Sequence, residues 1–241
     1  MTLNPTAPRS PAREALVVWG GLMVGLGLAK ATLGLMPFGG QLVGVLAVAL
    51  FLWLPGEAAR RAGRPEGPDP LTLEAWPRDA LFAAAVMLVV FPPFVLLFRW
   101  FLGLLDTLPR DVAGVLAPYG ISRSFSWRLP PKLVDLVGGN IAVAIGEEYF
   151  YRGYLQERFS AAWPAARRVL GVPFGKAALV QTALFAAGHL LTPQPFRLST
   201  FFPGLLFTWM ALRSGRVLPG IIVHAASNVF IATLEASAFG R

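Results

Sequence analysis

Six residues of four types in this chain could together hydrolyse a bond, and all stand inside apolar sequence. Glu147 and Glu148 close the apolar run from Leu133 to Ile145, and Arg152 follows Glu148 at four residues. The only two histidines, His189 and His224, also fall within apolar stretches, and Asn228 follows His224 at four residues. An acidic side chain at the centre of a bilayer costs roughly 2.5–3.5 kcal/mol on insertion scales, so it needs a partner or a task. On a helix Arg152 shares a face with Glu148, within ion-pair reach. Glu147 is rotated by about 100° from Glu148 and is left free.

Hydrolysis requires a base for water, donors for the developing oxyanion and a proton source for the leaving group. Glu147 could serve as the base. His189 could share the water's proton or hand it to a leaving nitrogen. His224 and Asn228, on one helix face, could donate to the oxyanion, while Glu148 with Arg152 holds the helix in place. Glu147, His189 and His224 would equally supply the one carboxylate and two imidazoles of a catalytic zinc, although HExxH is absent. Ser227 lies beside Asn228, but no Gly-x-Ser-x-Gly supports serine catalysis. The plain alternative makes these groups interhelical hydrogen-bond partners, helped by small neighbours such as Ala186, Gly188, Ala225 and Ala226. Asn140, Gln181 and Thr182 are further polar candidates of that kind. Intramembrane ionisable groups are nevertheless functional candidates by default.

The elements that must position these residues follow from composition. The 241 residues are 55% hydrophobic and only 14% charged, with mean hydropathy +0.59. Soluble domains carry about 25% charged residues, so an all-α polytopic membrane protein is expected. Seven apolar segments are expected, near 14–36, 41–55, 79–104, 133–158, 176–192, 198–212 and 217–237, forming a bundle of about seven transmembrane helices with the site between the C-terminal ones. Residues 1–13 read as a disordered arm. One integral domain over 14–237 then divides into N-terminal helices and polar loops, 14–132, and a catalytic core, 133–237. Pro92-Pro93 should kink or break the third segment, 56–78 should be loop, and 105–132 a long loop with a surface helix. Lys30 should snorkel from the first helix, which reads as uncleaved and not as a signal peptide.

The net charge of +8 is spread in short clusters between apolar runs. That pattern suits anionic lipid and topology signals, with a modest bias toward a cytoplasmic N-terminus, and not nucleic acid. There is no cysteine, which removes disulfides, thiolate ligands and a cysteine nucleophile. Only Lys30, Lys132 and Lys176 stand among 21 basic residues, in a chain rich in Ala, Gly, Pro and Arg. This points to a bacterial protein of the inner membrane.

Together the clusters resemble the CPBP family of intramembrane proteases, the group of the type II CAAX prenyl endopeptidases and bacterial Abi-type proteins. Its Glu-Glu-x-x-x-Arg motif is matched by Glu147, Glu148 and Arg152, its Phe-x-x-x-His motif by Phe185 and His189, and its His-x-x-x-Asn/Asp motif by His224 and Asn228. The resemblance covers about residues 130–235. It implies cleavage of a membrane-associated protein or peptide, with Glu147 and His189 activating water and His224 and Asn228 forming the oxyanion hole. It implies no cofactor in the glutamate-dependent mechanism, and zinc in the metal-dependent one. Immunity proteins and the myxosortases, which process C-terminal sorting tails, are similar to it, so a non-catalytic scaffold of the same fold is a further reading.

Overall fold

A computed structural model of the chain describes residues 10–64, 69–116 and 125–239. Most of the expected N-terminal arm lies outside these residues. Its end does not read as an arm, because α1 (Pro11–Leu33) already starts at Pro11. The Ser10 side chain accepts from the Arg13 amide and proline occupies the first turn, the usual chemistry of a helix start. Phe38, in the left-handed region at φ 61°, turns the chain into α2 (Gly39–Arg61). That helix runs through Pro55, beyond the expected end, and Glu57 ion-pairs with Arg60 and Arg61 on the added turn. The helix α3 (Trp76–Leu105) likewise continues through Pro92 and Pro93. The expected surface helix is α4 (Arg110–Leu116).

The fourth apolar segment is the departure that matters. It forms α5 (Leu133–Glu148), a π-helical turn (Tyr149–Leu155) and α6 (Gln156–Ala162) in unbroken succession. A two-stranded ribbon, β1 (Arg168–Val169) paired antiparallel with β2 (Val172–Pro173), leads into α7 (Lys176–Gly188). Two short 3-10 turns, His189–Leu191 and Pro195–Thr200, precede α8 (Phe201–Ser214) and α9 (Leu218–Phe239).

The π turn sits at the centre, touched by α1, α2, α7 and α8. Phe150, Tyr151, Leu155 and Phe159 are buried there with Leu22 and Leu26 of α1, Phe51 of α2 and Phe185 of α7. On the other side Ala83 and Val86 of α3 pack with Phe207 and Met210 of α8 and Val223 of α9. Ala144 of α5 meets Val217, Ile221 and Ala225 at the start of α9. Asp79, 1% exposed, accepts from Arg216 at 2.6 and 2.8 Å and pins the start of α3 to the α8–α9 turn.

The outward faces are apolar: Val24, Leu28, Val45, Leu81, Leu88 and Leu96 are all exposed. Helices α1, α2, α3 and α9 are long and apolar enough to cross a bilayer, and Lys176–Leu191 is a shorter apolar helix. With backbone hydrogen bonds closed within helices and lipid-compatible side chains outside, the chain is an all-α integral membrane protein.

Candidate active site

Glu148 is wholly buried at the end of α5. Its Oε1 accepts from Arg152 at 2.8 Å and from Nδ1 of His224 at 2.8 Å. The first contact is the expected i,i+4 pair. The second brings α9 onto the same carboxylate and was not legible in the spacing. Arg152 is clamped in turn. Its guanidinium lies 4.1 Å over the Phe185 ring and 5.4 Å from that of Phe207, and it donates to the Gly204 carbonyl at 3.2 Å. The His224 ring stacks on Phe207, with centroids 4.9 Å apart and planes 18° apart. Aromatic faces suit cations and imidazoles in a dry site.

Two glycines make these approaches possible. A Cβ on Gly220 would stand 3.0 Å from Oε2 of Glu148. One on Gly204 would meet Thr182 at 2.9 Å and Phe185 at 3.0 Å. Behind Gly204, Thr208 donates to Gln181 at 2.8 Å and bonds Thr182, a fully buried network between α7 and α8. Gln181 and Thr182 therefore hold helices together, and Asn140 donates to the Leu136 carbonyl within its own helix.

Glu147 faces elsewhere. Its Oε2 lies 3.7 Å from Nε2 of His224, too far for a hydrogen bond. Its side chain opens on a pocket of about 130 Å³ that His189 also lines. His189 stands just beyond α7, and its Nδ1 is 2.9 Å from the Phe185 carbonyl. A carbonyl only accepts, so Nδ1 carries the proton and Nε2 of the neutral ring is an acceptor. Lys30 of α1 donates to the Leu191 carbonyl at 2.7 Å and to Thr192 at 3.2 Å, holding the turn that carries His189. The rest of the pocket is largely apolar, with Met23 and Leu26 from α1 and Ala47 and Phe51 from α2. Asn228 is half-buried one helical turn beyond His224.

The structure thus brings Glu147, Glu148, Arg152 and His224 together, and sets His189 across a shared pocket from Glu147. The π turn contributes to this. Such turns widen the helix and recur at functional sites, and here Tyr151, Arg152 and Tyr154 all fall within it. Among the described residues no three His, Asp or Glu side chains are placed to hold one metal ion. The zinc set Glu147, His189 and His224 does not fit as it stands.

Residues 129–230 match the family model described as Type II CAAX prenyl endopeptidase Rce1-like. This region of the chain is similar to that family. The match begins just before α5 and ends beyond Asn228, so all three motifs fall inside it, consistent with the CPBP family. No curated protein and no solved structure matches the chain. Sequence reasoning missed Phe207, Gly204 and Gly220 inside the matched region, and Trp19, Met23, Leu26, Ala47 and Phe51 outside it. The α1 residues carry a signal in hindsight: Trp19, Met23, Leu26 and Lys30 are spaced to share one helical face.

Proposed function

We propose that the protein is an intramembrane endopeptidase of a bacterial inner membrane, with Glu147 as general base. One observation carries this reading. Of two adjacent carboxylates, Glu148 is held through Oε1 by both Arg152 and His224, whereas Glu147 makes no such bond and shares a pocket with His189. A water there gives one proton to Glu147 as its oxygen bonds the scissile carbonyl carbon, with Nε2 of His189 accepting its second hydrogen. The carbonyl electrons move to oxygen. His224, its Nδ1 held by Glu148, stabilises that oxyanion through Nε2–H in the doubly protonated ring, and Asn228 adds an amide N–H. Glu147 then passes its proton to the nitrogen as the C–N bond breaks. Each oxyanion donor supplies about 100- to 1000-fold.

The largely apolar pocket wall suits a membrane-associated protein or peptide. The test compares membrane proteomes of cells carrying the wild-type chain or Glu147→Gln. The expected result is accumulation of uncut forms with the variant, while the variant itself stays folded. Unchanged cleavage by Glu147→Gln would end the reading. Cleavage by the purified enzyme is expected to persist in strong chelators, and its loss with recovery on added zinc would replace the glutamate mechanism with a metal one.

A further inference from the structure

Tyr151 is 2% exposed, and its ring is held by Phe51, Phe150 and Phe185, with centroids 5.2–5.9 Å away. Its hydroxyl reaches the end of α7, where a Cβ on Gly188 would come within 2.7 Å of it. The residue lines the same pocket as Glu147 and His189. Trp19 of α1 donates its indole N–H to the hydroxyl oxygen at 3.3 Å. An indole nitrogen can only donate, so the direction of that bond is fixed and the tyrosine keeps its own proton to give. Among the described residues the hydroxyl makes no other hydrogen bond. A buried phenol with a spare proton, beside a base and an imidazole acceptor, is a donor aimed at something that enters the pocket.

Water geometry identifies the partner. A buried water makes about three hydrogen bonds. As a nucleophile it must give both hydrogens to acceptors and keep one lone pair for the carbon. Glu147 and Nε2 of His189 are the two acceptors. A single donor on the remaining lone pair then fixes the attacking direction. We infer that Tyr151, oriented by Trp19, is that donor and a further catalytic residue. The inference rests on the protease reading above.

Two measurements on the full chain test it. The first needs no substrate: a high-resolution experimental structure of the wild type should show a water bonded to Tyr151, Glu147 and His189, and Tyr151→Phe should lose or displace it. The second uses the membrane protein that accumulates uncut with Glu147→Gln, purified as substrate. Tyr151→Phe should lower kcat by about 10-fold with KM near wild type, the size expected for losing one hydrogen bond to the attacking water. Trp19→Phe should lower kcat less, and the double variant should be no slower than Tyr151→Phe, because both act through one hydroxyl. A purely structural tyrosine would shift Tm and leave kcat alone, and that result, additive losses in the double variant, or a pocket water without Tyr151 would each overturn the inference. Full activity in Tyr151→Phe with none in Glu147→Gln would sink the tyrosine role only. Activity in Glu147→Gln would sink the underlying reading.

Discussion

Glu147 and Glu148 are neighbours in the chain and opposites in surroundings. Glu148 is dry, accepts from an arginine and an imidazole on the same oxygen, and sits so close to Gly220 that no β-carbon fits there without a shift. Glu147 is one residue earlier and faces a pocket with room for water. A carboxylate held in a buried ion pair builds structure, whereas one that no guanidinium holds is freer to take a proton. The motif needs two acids because these tasks conflict: an acid locked by Arg152 cannot also move protons freely.

The widest gap between the two should appear on removal. Glu148→Ala leaves Arg152 buried without its carboxylate, which costs about 3–5 kcal/mol when one partner of a buried pair is lost. Glu147→Gln removes a charge whose ion-pair neighbour is His224 at 3.7 Å, outside hydrogen-bond range, and its expected cost is about 1 kcal/mol or less. Denaturant unfolding of the two variants in the same detergent checks this. Equal stabilities would erase the contrast, and a strongly destabilised Glu147→Gln would make both acids structural.

The half of this contrast that involves Arg152 was legible, because i,i+4 spacing on a helix dictates it. The order of the apolar helices was legible as well, but among the described residues only α1, α2, α3 and α9, not seven helices, are long and apolar enough to cross a bilayer. What escaped reading has physical causes. Helix α2 runs past the expected end of its apolar segment near residue 55, and α3 is not broken at Pro92-Pro93. The π turn leaves no mark on hydrophobic periodicity, as its surroundings are apolar on every side. The His224–Glu148 bond joins residues 76 apart, and no local rule carries that distance. Trp19 and Met23 carried no mark that singled them out, because a pocket wall and a bilayer ask for the same side chains.

The contrast can be sharpened on the Glu148 side without touching a charge. Gly220→Ala would press a methyl group onto Oε2 of Glu148, with an expected loss of about 1–3 kcal/mol, as for overpacking generally. Gly138 in α5 has nothing within 4 Å of an added Cβ, so Gly138→Ala should be neutral or gain up to about 1 kcal/mol through helix propensity. Unfolding midpoints of the two alanine variants should therefore move in different directions. Similar losses in both would mean that Gly220 marks backbone flexibility and not the crowding around Glu148.

The smallest effect belongs to a second carboxylate cluster that resembles the first in its contacts. Glu14 accepts from Arg64 at 2.6 and 2.9 Å and from the Tyr154 hydroxyl at 2.9 Å, with Arg158 at 3.5 Å. It ties α1 and the end of α2 to the π turn, as Glu148 ties α9 to it. The difference is water. The Arg64 side chain is 26% exposed and that of Arg152 is 0% exposed. A guanidinium that recovers hydration when unpaired loses little, and Glu14 retains the Tyr154 hydroxyl and Arg158. Arg64→Ala should therefore cost about 0.5–1 kcal/mol, and the loss should shrink further as salt is raised. The corresponding loss in Arg152→Ala should be insensitive to salt, since ions do not reach it. A salt-independent loss of several kcal/mol in Arg64→Ala would show that burial, and not the number of hydrogen bonds, had been misjudged as the property separating the two clusters.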